Sequence, residues 1–455
     1  LSEPRGAMLR SITRRLSTSA RGQKYKWHRP TPTRDLPKIR PDDHDEYYDE
    51  YEDDGGLDGT NQPNRWRGEH IKRLTLPPEL ERALDEHTVP ALRARRHREH
   101  DLDAPPDVHD FATHRLDLMY AASHRVLHEA RVRLPGLAPQ RALDFGAGLA
   151  PFAWATHALW GADDAPETVA VEPNPQLSTL GKTLAAEASL SIRWTYNLPS
   201  LSEEAPFDLV SAAYTLAPLP PRARDAAISS LWERTASGGL LALIEPATPK
   251  GFDAMLQARE LLINGGSADD GGDGDVQVEM EAQIIAPCPH ASSCPLTPGL
   301  QVLPWQSSDK RPTASSCHVE QVVAESVARR YMERARRRGN EAKPQIERFC
   351  YLLVRRNDAA AAASDEVAAP WARVLRPPRK RAGHVLLDLC LPSGEATSST
   401  ASAKKLDHNS YRLARKVRAG DTWYPESLKG LSGEEAVAST ARGWGGAADE
   451  EEEEE

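Results

Sequence analysis

Leu143-Asp144-Phe145-Gly146-Ala147-Gly148 is the stretch on which the fold turns. It ends a short apolar run that starts at Ala142 and leads into a helical pattern carrying Phe152, Trp154 and Ala155. A strand that stops at two glycines and restarts as a helix is a tight βα turn, because glycine lets the backbone bend sharply and approach a ligand. Asp144 stands where it can accept hydrogen bonds from that ligand. Glu172, at the close of the next predicted strand, can accept both ribose hydroxyls of an adenosine. A dinucleotide would want a third glycine at the helix start, where this chain has Ala150 and Pro151. The pattern Asp-x-Gly-x-Gly followed by Glu172 therefore favours S-adenosylmethionine, with Asp144, Gly146, Gly148 and Glu172 as the candidate cofactor-binding residues.

Further short apolar runs alternate with helical patterns: Thr168 to Glu172, Phe207 to Ala212 and Leu240 to Ile244. That alternation implies parallel crossover units and an α/β, Rossmann-like methyltransferase sheet. Upstream, Leu80, Leu84, Val89 and Leu92, then Leu116, Met119, Tyr120, Val126 and Leu127, lie at helical spacing and predict a helical N-terminal module over 71–134. The methyltransferase-like domain is expected over 135–357, with a Pro- and Cys-containing insertion at 286–317 and a last strand around Phe349 to Val354. A Gly-bounded strand, Gly383 to Cys390, opens a small β-containing basic C-terminal module over 371–425.

With 455 residues, two domains plus tails are expected. The formal charge is -10, yet nine acids lie between Asp42 and Asp54 and seven run from Asp449 to Glu455. Without those 16 charges the remainder carries +6, so the foldable part is mildly basic and suits a nucleic-acid partner. Residues 22–70 and 426–455 are expected to be disordered acidic segments. The longest apolar run, around Leu240 to Ile244, falls far short of the ~18–20 residues needed for a membrane span. Five cysteines are too sparse for a secreted disulfide scaffold. From Met8 the chain is rich in Arg, Ser and Thr, with Arg10, Arg14, Arg15 and Arg21 and no acid until Asp35, the composition of a mitochondrial targeting segment over 1–21.

After the fourth predicted strand, amino-group methyltransferases commonly carry an Asn/Asp-Pro-Pro-aromatic sequence. This chain reads Ala213-Tyr214-Thr215-Leu216-Ala217-Pro218, with neither carboxamide nor carboxylate and no cysteine nucleophile. Catalysis is the weaker expectation for that reason. Cys288, Cys294, Cys317 and Cys390 are a separate signal: prolines stiffen Cys288-Pro289-His290 to Cys294-Pro295 into one loop, and thiolates from several segments suit zinc or an iron–sulfur cluster. The spacing alone is equally compatible with unrelated buried thiols.

The Cys288 to Pro295 segment, with Tyr120-Ala121-Ala122, Leu143 to Gly146, Ala213-Tyr214, Leu231-Trp232, Glu245 to Phe252, Phe349 to Arg356 and Cys390-Leu391-Pro392-Ser393-Gly394 to Asp421, resembles a mitochondrial small-ribosomal-subunit methyltransferase-like family across roughly residues 110–425. The resemblance implies that Cys288, Cys294, Cys317 and Cys390 jointly hold a [4Fe–4S] cluster, zinc being the alternative, while Cys350 in its apolar strand is a packed core thiol. His290 and His318 are rival ligands. The family's usual glycine loop is richer than the Leu149-Ala150-Pro151 found here.

Three basic runs complete the picture: one running from Arg329 to Arg338, one from Arg373 to Arg381, and one from Lys404 to Arg418. Within them Arg336, Arg337, Arg338, Arg379, Lys380, Arg381, Arg415 and Lys416 are the candidate RNA-phosphate contacts. The resulting expectation is a protein of the mitochondrial matrix that binds small-subunit rRNA alongside ribosomal proteins, as an assembly factor or constituent. The rival is an active S-adenosylmethionine-dependent rRNA methyltransferase.

Overall fold

A computed structural model describes residues 73–96, 107–199, 204–264, 282–297, 316–334, 345–357 and 371–423, save 403, 405 and 407. The expected targeting segment, both acidic segments and Arg336, Arg337 and Arg338 lie outside the described residues.

The glycine turn closes β1 (Arg141–Phe145), followed by the helix Pro151–Trp160, β2 (Glu167–Val171), the helix Pro175–Ala186, β3 (Ile192–Thr195), β4 (Phe207–Ala213), the helix Pro221–Arg234 and β5 (Thr235–Pro246). Each of these three helices opens on a proline, whose fixed φ suits the first turn and whose missing N–H would have had no partner there. Asn174 adds a cap, its side-chain oxygen accepting from the N–H groups of Gln176 and Leu177 at 2.9 and 3.3 Å. Strands β1 to β5 pair in parallel in the order β3-β2-β1-β4-β5. After the helix Pro249–Asn264, β6 (Ala282–Ala286), β7 (Val319–Val323) and the helix Val327–Arg334 lead to β8 (Gln345–Arg356). Strand β8 runs antiparallel to β5, β6 and β7, giving the order β3-β2-β1-β4-β5-β8-β6. Five parallel strands whose order of addition reverses beside β1, with the antiparallel β8 inserted between β5 and β6, form the Rossmann-like methyltransferase sheet the glycine turn announced.

Alternation across the sheet divides the core in two. Ala142, Leu240, Ala242, Ile244, Phe349, Tyr351 and Leu353 pack on one face with Trp154 and the N-terminal helices. Leu143, Phe145, Leu241, Leu243, Cys350, Leu352 and Val354 pack on the other with Ile228, Trp232 and Met255. Burying each of the larger of these side chains contributes roughly 1.5–3 kcal/mol.

The N-terminal module comprises helices Pro78–His87, Val89–Arg96 and Val108–Phe111, a π-helical turn Ala112–Leu116 and the helix Asp117–Arg133. Leu80, Leu84 and Leu92 supply its share of the first core. The basic helix Val327–Arg334 docks here through buried Arg329, which donates to both Asp117 carboxylate oxygens at 2.8 and 2.6 Å.

The C-terminal module is a second sheet of β9 (Ala372–Val374), β10 (Arg379–Arg381), β11 (His384–Cys390), β12 (Ala396–Ser402) and β13 (Thr422–Trp423), with the helix His408–Ala414. Val374, Val385, Leu387, Leu389, Val417 and Trp423 form its own core. A buried polar cluster ties it to the first domain. Arg373 donates to Glu129 Oε1 at 2.5 Å, to the Gly420 carbonyl at 2.8 Å and to the Pro287 carbonyl at 2.9 Å. Glu129 also accepts from Arg133 Nε at 3.0 Å and Tyr351 Oη at 2.6 Å.

Candidate functional site

The glycine turn is built by hydrogen bonds across β1 and β2. The N–H groups of Gly146 and Ala147 donate to the Val171 carbonyl at 2.9 and 3.1 Å. Gly146, Gly148 and Ala150 all have positive φ, at 76°, 57° and 58°. A Cβ on Gly146 would collide with the Thr215 side chain, and one on Gly148 would touch the Phe111 ring at 3.8 Å. Phe111 therefore roofs the turn from the N-terminal module.

The structure brings all four predicted cofactor residues together. Asp144 is 2% exposed. One of its carboxylate oxygens accepts from Ser211 Oγ at 2.6 Å, while Oδ2 has no partner among the described residues. Burial pushes its carboxyl up to about 7; the Ser211 bond opposes this and the nearby Glu172 adds to it. Glu172 follows β2 directly. Its Oε2 accepts from the Gly148 N–H at 2.8 Å and its Oε1 from the Asn174 N–H at 2.7 Å. Burial raises its carboxyl, and the Asn174 and Gly148 bonds restrain it. A buried carboxylate oxygen with no donor suits the ammonium end of an amino-acid-bearing ligand. The second carboxylate keeps acceptor capacity beyond its two backbone donors. The residues fit S-adenosylmethionine.

Beyond β4 the chain presents groups that reading the local sequence missed. Tyr214 has φ 57°, and its N–H donates to the Ile244 carbonyl at 2.7 Å. Its hydroxyl donates to Glu347 Oε1 at 2.7 Å, and the Arg115 guanidinium lies 5.0 Å from its ring centre and 3.6 Å from Glu347. Burial and Glu347 hold this phenol far above its ordinary range, so it stays protonated and donating. Glu245 at the end of β5 accepts from the Leu216 N–H at 2.6 Å and so fixes the loop after β4. Burial pushes Glu245 up to about 7 against the Leu216, Ala217 and Thr215 amides and Arg224. The carboxylate absent from the local sequence is present in space, but it supports the loop from behind.

Cys288 and Cys294 sit on the loop after β6, Cys317 just before β7 and Cys390 at the end of β11. The fold brings them together. Burial pushes Cys294 up to about 11, with Cys288 adding to the rise. Burial likewise lifts Cys317 well above its ordinary range, reinforced by Cys288, Cys294 and Cys390. Cys390 is raised by burial and then by Cys288 and Cys294, with Arg373 and Arg259 opposing. Thiols that disfavour one another's ionisation stay protonated and neutral in the free protein, and a cation binding there would displace those protons to take the sulfurs as ligands. The rival histidines separate here. His290 Nε2 lies 3.3 Å from Cys390 Sγ, whereas His318 Nδ1 bonds the Ser316 carbonyl at 3.1 Å. Cys350, 3% exposed, donates its S–H to the Pro246 carbonyl at 3.3 Å, as a core thiol does. The turn after Cys390 seats against this loop: Gly394 has φ 89°, and a Cβ there would strike the Ser292 side chain.

The basic candidates divide. Lys380 and Arg381 on β10 are exposed. Arg379 is half-buried and donates to buried Asp388 at 2.7 Å. Arg415 lies 5.9 Å from the Tyr411 ring centre, and Lys416 beside it is half-buried. Arg329 and Arg373, members of the basic runs, are interior ion-pair partners and face no solvent.

The chain belongs to the family described as mitochondrial small ribosomal subunit Rsm22, whose sequence model matches residues 105–424. It is similar to the human mitochondrial ribosome assembly protein METTL17, 29% identical over 315 residues covering 68% of this chain and 60% of that protein. It is also similar to the Saccharomyces cerevisiae mitochondrial ribosome assembly protein RSM22, 27% identical over 259 residues covering 43% of this chain and 41% of that protein. The chain thus spans less than two thirds of the length of these relatives. Among solved structures it is similar to a putative class I S-adenosylmethionine-dependent methyltransferase from Listeria monocytogenes, with 12% identity, TM-score 0.31 and coverage of 52% of this chain and 60% of that one. A putative RNA methyltransferase from Pyrococcus horikoshii gives 10% identity, TM-score 0.29 and coverage of 52% and 84%. Strand order, rather than these overlaps, defines the fold.

Proposed function

We propose that this protein acts in the mitochondrial matrix in assembling the small ribosomal subunit, binding its rRNA through a methyltransferase-like scaffold braced by a [4Fe–4S] cluster on Cys288, Cys294, Cys317 and Cys390. The observation that carries this reading is the convergence, in a member of this family, of four thiols from three separate segments on the seam between the two modules. All-thiolate donor sets suit iron–sulfur clusters and zinc. A bound cluster would supply a charged cross-link between the β6 loop, the approach to β7 and the end of β11. The exposed Lys380 and Arg381 offer phosphate contacts on the module so anchored.

The second reading, an active S-adenosylmethionine-dependent rRNA methyltransferase, is favoured by the unpartnered Asp144 oxygen. Against it stands Tyr214, whose phenol is held protonated and committed to Glu347 where an acceptor-binding group would be needed. Bound S-adenosylmethionine would supply an electrophilic methyl group at the glycine turn. The test is the anaerobically purified protein with small-subunit rRNA and methyl-labelled S-adenosylmethionine. Tight, salt-sensitive RNA binding without label transfer supports the assembly reading; stoichiometric transfer to one nucleotide replaces it with the enzyme. Iron, sulfide and zinc analysis of the same preparation decides the metal.

A further inference from the structure

Two guanidiniums are buried beside the thiols, and their circumstances differ. Arg373, 1% exposed, is neutralised by Glu129 and directs its remaining donors to the Pro287 and Gly420 carbonyls. Arg259, on the helix Pro249–Asn264, is 3% exposed. Its Nη2 donates to the His290 carbonyl at 3.3 Å and to the Ser292 carbonyl, two acceptors inside the Cys288–Cys294 loop. Its Nε has no partner among the described residues. Glu260 approaches Nη1 at 3.5 Å, but that carboxylate's side chain is 46% exposed and its field is screened by solvent. The cation thus faces inward with its charge largely uncompensated, and Cys294 and Cys390 both feel it.

We infer that Arg259 is a positioning residue of the thiolate site: it shapes the Cys288–Cys294 loop through two carbonyls and supplies the buried positive charge that offsets the metal–thiolate group. The inference rests on the metal reading above and goes beyond it by assigning the counter-charge. A four-thiolate [4Fe–4S] unit carries net negative charge, and burying it without a cation is costly. Clamping the His290 carbonyl also holds the imidazole against Cys390, so the same guanidinium sets a contact across the seam between the modules. Reduction adds a further negative charge, which a neighbouring cation stabilises, so Arg259 raises the reduction potential of the bound group.

Two substitutions in the full chain separate charge from shape. Arg259→Gln removes the charge and keeps an amide able to donate to one carbonyl. Arg259→Lys keeps the charge and loses the planar fork. Proteins purified anaerobically are compared by iron and sulfide content, by the half-time of cluster loss to a chelator, and by the midpoint potential from an EPR-monitored titration. Arg259→Gln should lose its cluster roughly tenfold faster, as outer-shell changes at metal sites do, and should titrate at a more negative potential. Arg259→Lys should keep a midpoint close to that of the unaltered chain. An unchanged loss rate and midpoint in Arg259→Gln, or an equal shift in both variants, overturns the assignment while leaving the metal site standing. If the unaltered chain holds zinc, chelator loss should follow the same order, with the Gln variant fastest. An unaltered chain that binds neither metal removes the metal reading itself, and this inference with it.

Discussion

Replacing Arg373 by methionine should destabilise the junction of the two modules by about 4 kcal/mol. The guanidinium is 1% exposed and meets Glu129 in two contacts, at 2.5 and 3.4 Å. Removing one member of a buried ion pair costs about 3–5 kcal/mol because the other charge is stranded. The Pro287 and Gly420 carbonyls would each lose a bond worth about 1 kcal/mol. Arg133 and Tyr351 remain on Glu129 and offset part of the loss, which keeps the figure in the middle of that range. The measurement is chemical denaturation at matched metal content, followed by limited proteolysis of residues 371–423. Adding Glu129→Gln to Arg373→Met should cost less than the sum of the two single changes, since the stranded charge is then gone. Burial alone would raise the Glu129 carboxyl, but Arg373 and then Arg133 hold it well below the usual carboxylate range. A depressed carboxyl contributes stability above its unfolded pKa of ~4.3 that is lost only as pH falls toward the folded value. In Arg373→Met burial lifts that carboxyl again, so protonation relieves the stranded charge at low pH and the penalty should be smaller at pH 5 than at pH 8. A loss under ~1 kcal/mol, or strict additivity in the double variant, would refute the idea that this cluster bolts the modules together.

Asp144 has a raised folded pKa of about 7, so between ~4 and 7 the folded state binds the extra proton and stability falls as pH rises. Asp144→Asn should flatten that fall in pH-dependent denaturation while weakening S-adenosylmethionine binding in calorimetry; an unaltered pH profile would contradict the burial argument. If the four thiols hold the proposed [4Fe–4S] cluster, Cys390→Ser should abolish its visible absorption and expose residues 371–423 to proteolysis, whereas Cys350→Ser should leave the absorption intact, the reverse pattern being the adverse one. Lys380→Ala with Arg381→Ala should reduce the salt dependence of rRNA binding by about 0.7–0.9 in log–log slope for each phosphate that is no longer neutralised. A slope equal to that of the unaltered chain would assign β10 to a solvated edge.

The sheet was legible because its signals are local. A strand ending in Asp144-Phe145-Gly146-Ala147-Gly148 and the apolar runs of β2, β4, β5 and β8 each specify their element from within a few residues. Strand β12, reading Ala396 to Ser402 with Thr397, Ser398, Ser399 and Thr400, has no apolar alternation and exists only because β11 pairs along its whole length. The glycine-turn residues were found for the same reason as the turn. Tyr214, Arg115 and Glu347 meet only across distant segments, so no spacing could expose them. Arg329 and Arg373 read as members of the basic runs offered to RNA because their carboxylates, Asp117 and Glu129, come from the distant helix Asp117–Arg133. The convergence of Cys390 with the other thiols was legible only through family resemblance, because it depends on the docking of a whole module.

Strand β8 bonds β5 along one side, and on the other meets β7 through its first half and β6 through its second. During synthesis, β1 to β5 leave the ribosome well before it. The edge of β5, with Leu240 to Ile244 at its centre, then waits unpaired while roughly a hundred further residues are added, about 5–20 s at ordinary elongation rates. An unpaired apolar strand edge is a template for the wrong partner. Chains arrested between residues 247 and 344 should therefore be the aggregation-prone ones, and chains extended past 356 should lose that tendency.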